Sequence, residues 1–360
     1  MWLAGAFAAD AAGLSARWRA AGRQNAAGYV DVVESYRREG ERRGAVGELI
    51  GWPRESVREA VRGLDPRSAT PRWRLAAMLL HGDVGMLARQ RGDVDLGAFH
   101  FQVGLTLAEA PFDGESERRA RRWLLAIGLF EASEGAAGDA TAFLDGALGR
   151  FPDDPQLLLA RGQIEELLAT PRFRGWAPSR TSGAGGRRHT EEGMRQSSEI
   201  RARLSEAETL YRRALAADPS LLEARLHLGR VQHVRGRIDE AQESLEAVLA
   251  SARSETYLAY MANLLLGGLL ESAGELERAA ARYRDAIDAD PQSEVAVLAL
   301  AHITRRLGQR REAAEMVEAL LSRRATRGHT DGWWAFRMGP LADGDQVQPI
   351  LRALRAEIAE

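Results

Sequence analysis

Small and apolar residues recur along residues 222–320 with a spacing that is repeated three times. Gly229, Gly236, Ala241, Leu245 and Val248 are separated by seven, five, four and three residues. The same intervals separate the members of two later sets, Gly267, Gly274, Ala279, Tyr283 and Ala286, and then Ala301, Gly308, Ala313, Val317 and Leu320. Residues three and four apart share one face of a helix, so each set predicts two helices joined by a turn.

Each position in the set has a predicted structural role. Gly229 has no side chain, so a second helix can approach its backbone closely. Gly236 ends the first helix, because a left-handed turn costs glycine little. Asp239 is expected to cap the second helix. Neither helix can bury its apolar stripe alone, so neighbouring pairs are expected to stack.

The last two sets lie 34 residues apart, and this helix–turn–helix period resembles the tetratricopeptide repeat. The resemblance covers 121–154 and 199–320 firmly, 155–169 in part and 24–110 weakly. The bulky aromatic residue of the first helix is replaced by Leu124, Leu158, Arg225, Asn263 and Val297, which marks a divergent member. The resemblance implies an all-α fold, an α-solenoid of antiparallel helix pairs wound as a right-handed superhelix.

The pattern divides the chain into four predicted segments. A short N-terminal stretch is either a frayed helix or the remnant of an export signal, and two degenerate helix pairs follow it. The array of repeats comes next, and a Trp-rich segment with an amphipathic capping helix ends the chain. The segments are 1–23, 24–110, 111–325 and 326–360, and the pairs of the array lie near 121–154, 155–221, 222–255, 260–293 and 294–325. In the last segment Ile350, Leu351, Leu354 and Ile358 are expected to cover the open end of the stack.

An insert interrupts the pair at 155–221. Gly162 lies 34 residues after Gly128, which places an alanine of the second helix near residue 174, yet the matching residue is Ala207. The insert, 170–198, is rich in proline, glycine and arginine over 171–190, so we predict a mobile basic loop and then a long helix from about Glu191 to Ala217. Its candidate contacts for an anionic ligand are Arg172, Arg174, Trp176, Arg180, Arg187 and Arg188; a solvated linker is the alternative.

The resemblance further implies that the first helices form a concave wall that holds a peptide or protein partner. Carried onto this sequence, the wall comprises Glu223, Leu226, Arg230, His233, Met261, Leu264, Glu271, Leu298, His302, Arg305 and Arg306. Its arginines favour a partner with apolar anchors and a carboxylate. Two alternatives stay open: the wall is merely solvated, or the chain's own C-terminal part fills it. Trp333, Trp334 and Phe336 are predicted to be buried there or against the last pair, because exposed aromatic area is costly.

The amino-acid composition excludes several kinds of catalytic and binding site. The net charge is −2, and the sequence contains no lysine and no cysteine, which excludes a P-loop lysine, a cysteine nucleophile and disulfides. No catalytic motif is found, so no catalytic residue, cofactor or metal site is predicted, and no nucleic-acid partner is expected. His81 and His100 can meet across a hairpin, but a third metal ligand is missing. No apolar run is long enough for a transmembrane helix, and the compartment, cytoplasm or exported, stays open.

These observations favour a non-catalytic scaffold for a protein or peptide partner of unknown identity. A self-assembling structural unit is the first alternative, and it leaves oligomerisation open. A regulatory domain that binds an anionic ligand through the basic insert is the second.

Overall fold

The computed structural model describes residues 26–38, 42–64, 69–169, 186–252, 256–323, 331–333, 336 and 344–359, with side chains from 198 onward in the fourth range and over 347–358 in the last. Every regular element within these ranges is a helix. The first eight are α1 over 26–37, α2 Arg42–Leu49, α3 Arg54–Arg62, α4 Pro71–Gln90, α5 Val94–Leu107, α6 Gly114–Ser133, α7 Ala137–Arg150 and α8 Pro155–Ala169. The others are α9 Gly186–Ala217, α10 Leu222–Val234, α11 Ile238–Ser251, α12 Thr256–Ser272, α13 Leu276–Ala289, α14 Glu294–Arg306, α15 Arg310–Arg323 and α16 Gly344–Ala359.

Consecutive helices pack as antiparallel pairs, which confirms the predicted α-solenoid. The pairs are α4/α5, α8/α9, α10/α11, α12/α13 and α14/α15. Gly236 ends α10 with a φ of 79°, a conformation that other residues rarely adopt, and Gly92, Gly135, Gly274 and Gly308 do the same between their helices. These glycines set the tight turn that folds one helix back on the next.

Glycines also allow the helices of a pair to touch. A Cβ atom built on Gly229 would lie 2.8 Å from Leu245 Cγ, and one on Gly162 would lie 2.5 Å from the ring of Tyr211. The second contact joins α8 to α9 across the insert. It confirms that α9 supplies the second helix of the interrupted pair.

Two expectations about helix starts are corrected. Helix α9 begins at Gly186, so Arg187 and Arg188 lie in its first turns and not in a loop that extends to residue 190. The N-cap of α11 is Arg237, which makes no side-chain cap, and Asp239 lies in the first turn instead. A carboxylate there still meets the positive end of the helix dipole.

The chain forms two compact units. Unit 1 consists of residues 1–130, 142–151 and 345–360, and unit 2 of residues 131–141 and 152–344. In unit 1, α1 buries Tyr29 and Tyr36, and α2 buries Ala45 and Leu49. The sequence predicted a degenerate helix pair in this region.

Helix α16 belongs to unit 1, which corrects the expectation that it covers the open end after the last repeat. Its stripe, Val347, Leu351, Leu354 and Ile358, is buried. Electrostatic pairing accounts for this position. Asp83, which accepts a hydrogen bond from Tyr36, pairs with Arg355 of α16, and Glu357 of α16 pairs with Arg122 of α6 at 2.8 Å.

Unit 2 contains the repeats with the clearest spacing. The stripes of α10 to α14 share one apolar core, in which Leu226, Leu245, Met261, Tyr283 and Leu300 are all less than a twentieth exposed. The first helices α10, α12 and α14 lie next to one another in this order along the chain. They carry the surface described next.

Candidate partner-binding surface

The residues of the expected wall fall into three groups by exposure. Leu226, Met261 and Leu264 are buried in the core of unit 2. Glu223, Arg230, His233 and Glu271 are half-buried, whereas Leu298, His302, Arg305 and Arg306 of α14 are exposed. Binding by this set stays a prediction, and the exposed side chains lie towards the last pair.

Arg230 is engaged within the fold by a buried carboxylate. Its guanidinium pairs with Oε1 of Glu166, a side chain that is only 4% exposed. The other oxygen, Oε2, accepts a hydrogen bond of 2.7 Å from the Tyr211 hydroxyl and lies 2.8 Å from His227 Nδ1. Burial raises the pKa of Tyr211 well above its ordinary value, so the phenol stays protonated and donates. A partner's carboxylate would have to compete with Glu166 for Arg230.

The same cluster fixes the ring of His227. Gln163 Nε2 lies 3.1 Å from His227 Nε2 and 3.2 Å from Glu223 Oε1. The amide therefore donates to Nε2 of the imidazole, while Nδ1–H donates to Glu166. The face of the imidazole is left to stack on an aromatic ring.

Residues 331–333 and Phe336 lie against these first helices. The Asp331 carboxylate is buried and accepts hydrogen bonds from the Tyr260 hydroxyl at 2.6 Å and from Ser293 Oγ at 2.9 Å. The backbone N–H groups of Val295 and Trp333 also donate to it, both at 2.9 Å. Burial alone would raise the pKa of Asp331, but these four donors hold its pKa below the ordinary value.

Phe336 fills the space in front of His227. Its side chain is 5% exposed, and its ring is stacked on the imidazole with a centroid distance of 4.4 Å. The Arg230 guanidinium lies 5.8 Å from the ring centroid, and Trp333, which is partly buried, lies 6.2 Å away. The predicted burial is thus confirmed for Phe336, and Trp334 lies outside the described residues. The chain's own C-terminal part covers this stretch of the wall.

Glu271 of α12 contacts residues of α13 and α14 in the part of the wall nearest the last pair. It accepts hydrogen bonds from Arg306 and Tyr283, both at 3.0 Å, and lies 3.3 Å from His302 Nε2. His233, on the preceding first helix, is half-buried with Nε2 at 3.4 Å from Ser272 Oγ. The carboxylate of Glu271 balances part of the positive charge that the sequence places here.

An open cleft of about 560 Å³ lies between α14 and α15. Its lining is largely apolar, and Leu298 and Leu321 are 47% and 59% exposed. The lining residues are Leu298, Ala301, His302, Arg305, Arg310, Ala313, Ala314, Val317, Glu318 and Leu321. Three residues of the expected wall, Leu298, His302 and Arg305, therefore share this end cleft with residues of α15 that the wall did not include.

Of the six candidate contacts in the basic insert, two lie in a described helix. Arg172, Arg174, Trp176 and Arg180 lie outside the described residues, and Arg187 and Arg188 are described only as backbone of α9. The described part of the chain holds no cluster of three or more histidine, aspartate or glutamate residues that fits a metal ion. None of the described helices is both long and apolar enough to cross a membrane.

The roles of Asp331, Tyr260 and Ser293 were not predicted from the sequence. Ser293 caps α14, accepting from Ala296 N at 3.0 Å, and a serine just before a helix is a readable signal. Its link to Asp331 joins residues 38 positions apart and has no signal in the repeat spacing.

The geometry defines an α-solenoid that presents the faces of its first helices, and comparison with known proteins agrees. Residues 201–241 and 234–294 match the model of the tetratricopeptide repeat family. Within 201–294 the chain therefore matches the tetratricopeptide repeat, a fold typical of protein–protein interaction scaffolds.

One relative and two solved structures are similar to parts of this chain. Cellulose synthase operon protein C of Pseudomonas fluorescens (strain SBW25) is 35% identical over 120 residues, which are 32% of this chain and 9% of that protein. PilW, described as a widely conserved type IV pilus biogenesis factor, is 16% identical with a TM-score of 0.45, over 68% of this chain and 92% of that one. MamA from Desulfovibrio magneticus RS-1 is 18% identical with a TM-score of 0.41, over 58% and 98%.

Proposed function

We propose that this protein is a non-catalytic scaffold that holds an amphipathic helix of a protein partner, with the contact centred on the end cleft between α14 and α15. The observation that carries the proposal is the apolar lining of that cleft, with Leu298 and Leu321 about half exposed. Large aliphatic side chains gathered on one open surface are typical of interaction sites.

Repeat geometry indicates what fits there. Leu298 and Ala314 are each 34 residues after Leu264 and Ala280 of the preceding pair. Those two are 6% and 2% exposed, and they share a core with Leu300 of α14. In the preceding pair this surface therefore receives the first helix of the next pair. In the last pair the equivalent residues, Leu298 and Ala314, are exposed, so a partner helix would continue the stacking.

The charged residues at the rim of the cleft indicate which side chains a partner helix needs. His302, Arg305 and Arg310 are exposed at its rim, and Glu318 is the acidic residue among those that line it. A helix with an aliphatic stripe flanked by aspartate or glutamate complements this surface. The favoured partner combines apolar anchors with carboxylates.

The test uses a helix of known sequence as the probe. A peptide of residues 291–308 with Arg305→Glu and Arg306→Glu, held helical by a hydrocarbon staple on its solvent face, reproduces the helix that the preceding pair receives and adds the carboxylates proposed for the partner. We expect it to bind the full chain and Leu321→Asp to weaken the binding at least about tenfold, roughly 1.4 kcal/mol. Val234→Asp is the matched control, because Val234 is 56% exposed outside the cleft.

Two results would contradict the proposal. One is the absence of peptide binding to the unaltered, folded chain at millimolar concentration. The other is equal binding by Leu321→Asp and Val234→Asp.

Light scattering separates the scaffold from the self-assembling alternative. A scaffold whose cleft is kept for a partner is expected to be a monomer between about 1 and 100 µM, the range in which micromolar self-association would show. An oligomer that Leu321→Asp dissociates would assign the cleft to a second copy of the chain instead.

A further inference from the structure

Asp331 and Phe336 contact the first helices at a surface apart from the end cleft. The sequence segment 331–336, which contains both residues, has no counterpart in the repeat spacing. It contacts the wall through a carboxylate at one end and an aromatic ring at the other. These are the features of a short peptide motif bound on a receptor surface.

The receptor side is held in place by contacts of its own. His227 is oriented by Glu166 and Gln163, neither of which belongs to the segment. Ser293 already caps α14 through Ala296 N. Because these groups are fixed without the segment, the site is preorganised for a ligand.

The carboxylate subsite is built for one anion. Tyr260, Ser293 and the first turn of α14 supply three donors to Asp331 from outside the segment, and the side chain of Asp331 is buried. The start of α14 adds the positive end of a helix dipole. A neutral side chain in this place would leave buried donors unsatisfied.

The space around Gly332 restricts the size of the residue that follows the acid. A Cβ atom there would lie 3.2 Å from Tyr257 Cε2 and 3.5 Å from Tyr260 Cε1, which favours a small residue after the acid. Phe336 then meets His227 four residues farther along. The site therefore selects an acid, a small residue, and an aromatic residue five positions after the acid.

We propose that this surface, formed by His227, Arg230, Tyr260, Ser293 and Val295, is a peptide-recognition site for a partner segment of the form Asp-Gly-Trp-x-x-Phe. Asp331 and Phe336 of this chain are its built-in occupants. A partner segment of the same chemistry takes their place by exchange. The proposal concerns a different surface from the end cleft and stands without it.

The experiment compares the unaltered chain with Asp331→Ala/Phe336→Ala, in which the site is vacated. The probe is a fluorescent peptide with the sequence of residues 330–337. We expect micromolar binding to the vacated chain, at least tenfold weaker binding to the unaltered chain, and measurable displacement at high peptide concentration. Phe→Ala or Asp→Asn in the peptide should each weaken binding at least tenfold.

A matched pair of variants tests the carboxylate subsite. Tyr260→Phe removes one donor to Asp331, whereas Tyr283→Phe removes the same hydroxyl from Glu271 in the same array. In the vacated chain only Tyr260→Phe should weaken peptide binding, and it should do so severalfold. Equal effects of the two variants would contradict the assigned contact.

Failure of the variants to fold, or of the folded chains to bind the peptide, would contradict the proposal. Phe336→Leu is a milder vacating variant, to be used if the double variant does not fold. If neither folds, residues 331–336 are a structural strap and the proposal is wrong. It is also wrong if the folded, vacated chain does not bind the peptide at 1 mM, if the unaltered chain shows no exchange, or if unaltered chains dimerise by swapping their segments.

Discussion

Single glycines determine how closely the two helices of a pair approach. A Cβ atom on Gly267 would lie 2.4 Å from the ring of Tyr283, closer than atoms of a packed core approach. Gly268, the next residue of α12, has only the Tyr283 hydroxyl nearby, at 3.8 Å. The two neighbouring glycines therefore have different roles.

We predict that Gly267→Ala destabilises the protein and that Gly268→Ala does not. Overpacking against a fixed ring costs about 1–3 kcal/mol. At Gly268 the better helix propensity of alanine contributes up to about 1 kcal/mol of stability instead. Thermal unfolding followed by circular dichroism measures both, and a lower midpoint for Gly268→Ala than for Gly267→Ala would contradict this account.

Two histidines form a buried hydrogen-bonded chain in unit 1. Tyr29 OH lies 2.8 Å from His81 Nε2, and His81 Nδ1 lies 2.7 Å from His100 Nδ1. Burial, with the charge of Arg54 second, lowers the pKa of His100 to about 4, and burial lowers the pKa of His81 well below its ordinary value. Both imidazoles are therefore neutral in the folded protein at neutral pH.

We predict that unit 1 loses stability as the pH falls below about 6.5, the pKa of histidine in an unfolded chain. Both folded-state pKa values lie lower, so between pH 6.5 and 4 the unfolded chain binds more protons. The stabilisation is complete above that window and decreases through it by about 1.4 kcal/mol per pH unit for each histidine.

Unfolding midpoints at pH 7.5 and pH 5 measure this loss. A His81→Gln/His100→Gln variant keeps hydrogen-bonding groups that do not titrate, and its midpoint should depend less on pH. Equal pH dependence of the variant and the unaltered chain would exclude these histidines as the cause.

The sequence predicted the residues that set the pairs, because glycine turns and three- or four-residue stripes recur with a fixed spacing. It was less informative for α5, which reads Val-Asp-Leu-Gly-Ala-Phe-His-Phe and is apolar on most sides. There Phe101 is buried, whereas Phe99, two residues earlier, is only partly buried. A helix without a polar face does not show which side packs.

Helix α9 is the longest described element, and its C-terminal part pairs with α8. Arg203 Nη1 lies 3.1 Å from Glu165 Oε2, and Tyr211 packs on Gly162. In an antiparallel pair the Glu165–Arg203 contact places Ala169 opposite residue 199. The helix end and its partner are therefore near enough for a short connection.

We predict that residues 171–197 can be replaced by a flexible linker of about six residues without loss of the fold. A linker of that length spans roughly 12–15 Å on average. The midpoint of thermal unfolding should change by no more than about 3 °C, the shift expected from less than 1 kcal/mol. A larger loss would show that this stretch stabilises the array.

Helix α16 stabilises unit 1 through its buried stripe. Leu351 is fully buried, and its neighbour Arg352 is exposed. Leu351→Ala should cost about 2–5 kcal/mol, while Arg352→Ala should change stability by less than about 0.5 kcal/mol. Chemical denaturation compares the two, and similar midpoints would mean that α16 is not part of the cooperative core.

The hydrophobic periodicity of α16 predicted the helix but not the surface against which it packs. Its amphipathic stripe predicted a helix from about Gln346 to Ile358, and the helix spans Gly344–Ala359. The stripe does not specify which apolar surface it covers. Pairs such as Arg355 with Asp83 accompany the observed placement, and they join residues 272 positions apart.

At the scale of the whole molecule, the described residues of the last pair keep an apolar surface exposed. Leu298 of α14 and Leu321 of α15 are 47% and 59% exposed. Asp331 and Phe336 contact the first helices at other positions, through Tyr260, Ser293 and His227. Among the described residues, the wall that the repeats predicted is thus part core, part covered by Asp331 and Phe336, and exposed at α14.

The central claim is that the end cleft holds a helix of another protein. A photo-cross-linking amino acid at position 321, compared with the same residue at position 234, tests it in cells of the natural host. The account predicts that position 321 cross-links to one defined amphipathic, acidic helix of a different protein and that position 234 does not. Equal labelling from both positions, or cross-links from position 321 only to a second copy of this chain, would contradict it.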